Sequence, residues 1–274
     1  MIAIVADSTV CATRDQARAM GLTVVPTGFT AGAAAYTERF MDDRGPEETR
    51  ELTLQPDCKT SHAPVSAFQQ AFEGLLAQGF DILCLTISSR LSGAYSSASV
   101  AARETDEGRI AVVDSQTTCG GLWLLCKAAR GLADEGLGLS DLALRVKELR
   151  PKAGIVFSVE NMDALRRSGR LGVIPQSVGT LLNIRPILQC QNGSVASVGV
   201  ARGLQDRVRQ MLRRIPEKPV ALMLHYLLPA PTADALRQAI EQKFEGVPLY
   251  TAIGGPVLGI HLGAGTIGVS WITE

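Results

Sequence analysis

The segment Ile82–Arg103, ILCLTISSRLSGAYSSASVAAR, runs from an apolar, β-branched stretch into a loop of serines, one arginine and one glycine. Alanines and serines then recur at helical spacing from Ala94 onward. This order predicts a strand, a loop and the start of a helix. Unpaired backbone N–H groups at a helix start, with hydroxyl donors beside them, form a seat for an anion. Two more predicted strands end in similar loops, Asp7-Ser8-Thr9 and Asp114–Thr118. A fourth polar loop, Lys59-Thr60-Ser61-His62, precedes a helix starting near Pro64. In an open parallel sheet the carboxyl ends of the strands share one edge, where ligands bind, so the four loops could converge there. The competing reading is local, because Ser, Thr and Asp also cap helices. Repetition of the pattern favours convergence.

Basic residues crowd RRSGRLG. Arg166 and Arg167 suit the C-terminal turn of a helix, with Gly169 at the position just beyond it. Arg170 lies past that glycine and is freer to reach a ligand. Arg185, in NIRPIL, sits between apolar neighbours and needs a partner, protein or ligand. His261, in GIHLGAGTIG, reads as a structural histidine amid strands or as a ligand contact, since the glycines around it allow close approach. Gly263–Gly268 matches GxGxxG literally. The sequence stops at Glu274, leaving no helix to receive a pyrophosphate, so a dinucleotide site is not expected. With three histidines and no HxH, HExxH or CxxC spacing, neither a metal site nor another cofactor is expected. There is no GxxxxGK[ST] nucleotide loop and no GxSxG elbow.

The elements that must position these residues follow from pattern. Strands are predicted at Ile2–Val5, Leu22–Pro26, Ile82–Ile87 and Ile110–Val113. They alternate with helices at Arg14–Met20, from Pro64, at Ala94–Arg103, Leu122–Ala133 and Leu139–Leu149. Such alternation favours a parallel sheet covered on both faces. Beyond Pro151, strands are predicted at Ile155–Val159, Ile187–Gln189, Val195–Val200, Val220–His225 and Pro248–Ile253. Helices are predicted at Asn161–Arg167, Leu204–Arg214 and Ala233–Phe244. Asn192-Gly193 is a hairpin signal, so this second sheet should be mixed. The expected fold is α/β with two domains. Residues 1–152 form a three-layer α/β/α domain with a parallel sheet, and residues 153–274 an α/β domain with a mixed sheet.

Composition narrows the function. The 274 residues carry no formal net charge, which argues against a general nucleic-acid binder. The six cysteines lack regular spacing and read as reduced core residues, consistent with cytoplasm. Met1–Ala6 lacks the basic start of a signal peptide. Val247–Thr273 contains no Asp, Glu, Lys or Arg, but its six glycines and two prolines suggest buried strands with glycine-rich turns rather than a membrane span.

Taken in order, IVADST, VVPTGF, KTSHAP (Lys59–Pro64), ISSRLSGAYSSA (Ile87–Ala98), VVDS, ALRRSGRLG (Ala164–Gly172), LLNIRPIL (Leu181–Leu188) and HLGAGTIGV (His261–Val269) resemble the DegV family from end to end. That family includes the fatty-acid-binding subunits of bacterial fatty acid kinase. The resemblance implies a long-chain fatty acid bound between two α/β domains, its acyl chain in an apolar tunnel. It also implies a separate ATP-binding kinase subunit that phosphorylates the carboxylate, feeding phospholipid metabolism. Carried over by position, Thr60 and Ser92 would hydrogen-bond the carboxylate, aided by the Gly93 amide and by Ser61. Arg170 and His261 would lie near the head group and bind the phosphate or meet the kinase subunit. The protein would carry substrate without independent catalytic activity. Two departures stand out: His62-Ala63 where the family usually has Gln-Pro, and Val10-Cys11-Ala12 where an acidic residue usually follows Thr9.

The physics of a buried lipid agrees with this set. Each buried methylene contributes about 0.8 kcal/mol, so a long chain offers on the order of 10 kcal/mol before ordering costs. A carboxylate leaving water needs several donors. Neutral hydroxyls and amides supply them while leaving an oxygen able to attack a phosphoryl group. The alternative is a self-sufficient serine-dependent hydrolase of acyl or phosphoryl esters, which the many hydroxyls and His261 permit although the sequence fixes no nucleophile–base–acid set; Ser92→Ala would test it.

Overall fold

The computed structural model describes residues 1–55, 57–160, 162–170 and 184–274. Within the first half the elements are β1 (Ile2–Asp7), α1 (Arg14–Ala19), β2 (Leu22–Val25), β3 (Thr27–Ala31), β4 (Ala34–Glu38) and α2 (Pro46–Leu54). They continue as β5 (Lys59–Ser61), α3 (Val65–Leu76), β6 (Asp81–Thr86), α4 (Ala94–Thr105), β7 (Ile110–Asp114), α5 (Cys119–Asp134) and α6 (Leu139–Leu149). The second half holds β8 (Ala153–Ser158), α7 (Asp163–Ser168), β9 (Ile184–Gln191), β10 (Ser194–Arg202), α8 (Gly203–Leu212) and β11 (Pro219–Tyr226). It ends with α9 (Pro231–Lys243), β12 (Leu249–Ile253), α10 (Pro256–Leu262) and β13 (Ile267–Thr273).

Sheet β2-β1-β6-β7 is wholly parallel, as the alternating pattern predicts. Its central strands are apolar without interruption because helices cover both faces. Every residue of β1 is buried. Phe68 and Phe72 of α3 and the alanines of α4 pack on one face. Leu122, Leu125, Leu142 and Val146 of α5 and α6 pack on the other. The second sheet, β10-β9-β8-β13-β11-β12, is mixed, with only β11 and β12 parallel. Asn192 and Gly193 both have positive φ, 49° and 82°, as a two-residue hairpin between β9 and β10 requires.

Helix α5 joins the halves. All of its first eight residues, CGGLWLLC, are buried, because it packs on β1 and β6 on one side and on β8, β11 and β13 on the other. A helix apolar on all sides belongs between layers. One continuous core therefore runs through α5 into both sheets.

Two expectations need correction. The Lys59–His62 stretch is not simply a loop: Lys59–Ser61 is a strand in a third, antiparallel sheet, β4-β3-β5. The glycine-rich stretch around His261 is not all strand, because Pro256–Leu262 forms α10. Pro256 sits in its first turn and Gly263 just past its end, a helix signature legible in the sequence. The helix predicted at Asn161–Arg167 is seen as α7. Position 161, and the parts of the RRSGRLG and LLNIRPIL motifs that fall in 171–183, lie outside the described residues.

Candidate functional site

Thr60 lies on β5 opposite Phe29, half-buried between exposed Lys59 and Ser61. Gly28 opposes Ser61 because a Cβ there would stand 2.5 Å from the Ser61 Oγ. The Thr60 Oγ1 lies 2.7 Å from His261 Nε2, a contact between residues 201 positions apart. Burial holds the His261 imidazole down to about 4, and the nearby Arg170 guanidinium pushes in the same direction. The ring is therefore neutral at neutral pH, with one nitrogen donating and the other accepting. Its Nδ1 is buried without a hydrogen-bond partner among the described residues.

Helix α10 holds His261 in place. At its C-terminal end the Thr266 hydroxyl reaches the Leu262 and Gly263 carbonyls at 3.0 and 2.8 Å. At its start the Val257 N–H donates to Glu38 Oε2 at 3.0 Å. Glu38 is 1% exposed, and burial raises its carboxyl to about 7. Gly255 makes room for it, since a Cβ there would fall 2.3 Å from the carboxylate. Nothing in the local sequence around Glu38 marks this role.

Ser92 and Gly93 sit between β6 and α4, in a loop that other polar groups hold rigid. Asp7 is fully buried and accepts from the Ile87 N–H at 2.7 Å and from the Thr9 N–H and hydroxyl at 3.1 and 2.6 Å. Asp114 accepts from the Ser89 N–H and hydroxyl at 3.1 and 2.5 Å. Ser88 donates to the Gly193 carbonyl at 2.7 Å, tying the loop to the β9–β10 hairpin. The polar atoms of Asp7, Ser88 and Asp114 are therefore used in binding loops together, largely across distant segments rather than as helix caps. Gly93 precedes α4, and the His62 ring lies against it, so close that a Cβ on Gly93 would stand 2.9 Å from the ring Cε1. His62 was not among the residues marked by sequence reasoning as ligand contacts, although its departure from the family motif was visible.

Thr60, Ser61, Ser92, Gly93, Arg170 and His261 all line one cavity, together with His62. The cavity has about 140 Å³ of room for the centres of water molecules. Away from these polar groups its wall is largely apolar, with Leu91 from the first half and Ile155, Phe157, Val195, Leu258 and Leu262 from the second. No Asp or Glu is among the described residues lining it. Arg170 donates to the Leu91 carbonyl at 3.4 Å and to the Ser168 carbonyl, which keeps its charge beside the Ser92 loop. Thr60, Arg170 and His261 also border a wider cleft of about 720 Å³, whose rim includes Lys59 and Arg167. Arg185 finds its partner within the protein, donating to the Glu160 carbonyl at 2.8 Å.

The family model described as "Uncharacterised protein, DegV family" matches residues 1–274. The chain belongs to the DegV family. It is 29% identical to a DegV domain-containing protein of Halalkalibacterium halodurans, with 100% of this chain and 99% of that protein covered. It is 30% identical to one of Deinococcus radiodurans, with 98% and 97% covered. Among solved structures, a fatty-acid-binding DegV family protein from Thermus thermophilus superposes with a TM-score of 0.88 at 29% identity, covering 100% of this chain and 99% of that one. A DegV lipid-binding protein from Thermotoga maritima gives 0.87 at 25% identity, covering 99% and 98%. The two-domain α/β architecture is thus that of the DegV family.

Proposed function

We propose that this protein is a cytoplasmic fatty-acid carrier, which holds the carboxylate at Thr60, Ser92 and Gly93 and presents it to an ATP-dependent kinase subunit. The carrying observation is the cavity itself: a hydroxyl-rich end opens into an apolar wall supplied by both halves, which we divide at residues 152 and 153. Fatty-acid binding by the Thermus thermophilus relative supports the same reading. In this scheme Ser61 assists Thr60, and neutral His261 orients the Thr60 hydroxyl toward the carboxylate. Without a fixed cation pairing both oxygens, one of them stays nucleophilic. It forms a bond to the terminal phosphorus of ATP as the bond to the bridging oxygen breaks, giving acyl-phosphate and ADP. Arg170, beside His261, then meets the added charge.

The hydrolase alternative loses its main support. His261 engages Thr60, whereas the Ser92 Oγ accepts from the Ala94 N–H at 3.4 Å. The decisive experiment extracts the protein under denaturing conditions and identifies copurifying lipid by mass spectrometry. Long-chain fatty acid is expected. A lipid-free protein that also fails to bind added fatty acids would overturn the proposal.

A further inference from the structure

His225 is the least expected residue on the cavity wall. It sits near the end of β11, directly across from Gly268 of β13 and against Gly120 in the first turn of α5. A Cβ on Gly120 would lie 2.8 Å from its Nε2, and one on Gly268 would lie 2.7 Å from its Nδ1. Two glycines from two different elements therefore make the space that this imidazole fills. The ring is 8% exposed, and burial pushes it down to about 3, so it stays uncharged at neutral pH. Its Nε2 lies 2.9 Å from the Ser270 Oγ, the one hydrogen bond the ring makes among the described residues.

The wall around it is otherwise largely apolar, with Phe157, Leu258 and Leu262 also lining the cavity. Beside His225 there is a side chamber of about 20 Å³, bordered also by Cys119 and Thr266. That is roughly the room one water needs, and hence the room for a hydroxyl group. A ligand hydroxyl placed there would give this ring, set in a largely apolar wall, a further hydrogen-bond partner.

We propose that His225, with the chamber beside it, is a subsite for a hydroxyl group carried partway along a bound acyl chain. The inference rests on the fatty-acid reading above. A neutral imidazole offers either a donor or an acceptor at Nδ1, and a hydroxyl can pair with both. The head-group residues Thr60, Ser92 and His261 play no part in this selection, because they engage the carboxylate.

The test uses the delipidated full chain and a competition assay with octadecanoic acid and its monohydroxy isomers, the hydroxyl moved stepwise along the chain. One isomer, or two neighbouring ones, is expected to bind roughly three- to tenfold more tightly than the other isomers. In His225→Leu that ranking should flatten. The ring nitrogen shifts of His225, read by NMR on the unaltered protein, should move with the favoured isomer and not with octadecanoic acid. This keeps the idea testable even if the variant folds poorly. A flat ranking in the unaltered protein, or a ranking that survives His225→Leu, overturns the subsite while leaving the carrier reading standing. Failure of octadecanoic acid and all isomers to bind overturns both.

Discussion

Two neighbouring regions use the same kinds of donor for opposite ends. At the edge of the parallel sheet, backbone N–H groups and a threonine hydroxyl converge on Asp7, a carboxylate that the chain itself supplies. At the cavity mouth, the hydroxyls of Thr60 and Ser92 stand beside Gly93 and a neutral imidazole, and no Asp or Glu is among the described lining residues. Asp7 illustrates how the fold binds a buried carboxylate with neutral donors. The mouth presents a similar donor set toward an open cavity. Sequence composition alone scarcely separates the two, since both read as hydroxyl-rich loops at strand ends.

Replacing Asp7 with Ala should have the largest effect of the changes considered. It strands the buried N–H groups of Ile87 and Thr9, so a stability loss of about 3–5 kcal/mol is expected in urea unfolding. Protein that remains folded should bind lipid with little change. Equal damage to affinity in the folded fraction would break the distinction between the two regions.

Glu38 is the second buried carboxylate, and it anchors the helix that carries His261. Burial raises its folded value from 4.5 to about 7, opposed by the Val257 N–H and by Arg44 and reinforced by Asp43. The folded state therefore holds this proton more tightly than the unfolded chain. Its contribution to stability is fully present below about 4.5 and is lost as pH rises through about 7, on the order of 3 kcal/mol in all. Glu38→Gln should flatten that part of the stability–pH curve. An unchanged slope between pH 4.5 and 7 would mean that the carboxylate is better solvated than its burial implies.

At the mouth, Thr60→Val preserves shape and removes one hydroxyl. Fatty-acid affinity should fall by about 1.5–3 kcal/mol, with a much smaller change in stability, and Ser92→Ala should act in the same direction. Titration calorimetry against a single fatty acid would measure it. The reverse outcome, lost stability with intact binding, would place Thr60 with Asp7 rather than with the ligand.

Arg170→Ala should have the smallest effect on binding, within about threefold, because the guanidinium is exposed and bonded to backbone carbonyls. Acyl-phosphate formation with a kinase subunit should drop further than that. Intact turnover would remove Arg170 from the proposed transfer step.

Much of this molecule was legible beforehand. Continuous apolar runs marked β1 and β6, Asn192-Gly193 marked the hairpin, and the ordered motifs marked the family and the residues at the mouth. Among the features that escaped are the small sheet, helix α2, the helical state of 256–262, the anchoring role of Glu38 and the partnership of His62 with Gly93. The short strand Lys59–Ser61 is only partly buried, and Ala34–Glu38 has a largely exposed pattern, so neither shows a strong alternation. The His62–Gly93 packing leaves no trace in either local segment.

Residue types and local periodicity were enough to determine which segments become buried strands, where the chain turns, and which donors are available for an anion. Those properties depend on neighbours a few positions away. Tertiary structure decided which donors face a cavity and which are bound into Asp7 and Asp114, and it alone brought His261 to Thr60 and His225 between two glycines. Such choices rest on contacts between distant segments of one close-packed interior, where the space left by one side chain sets what another can do.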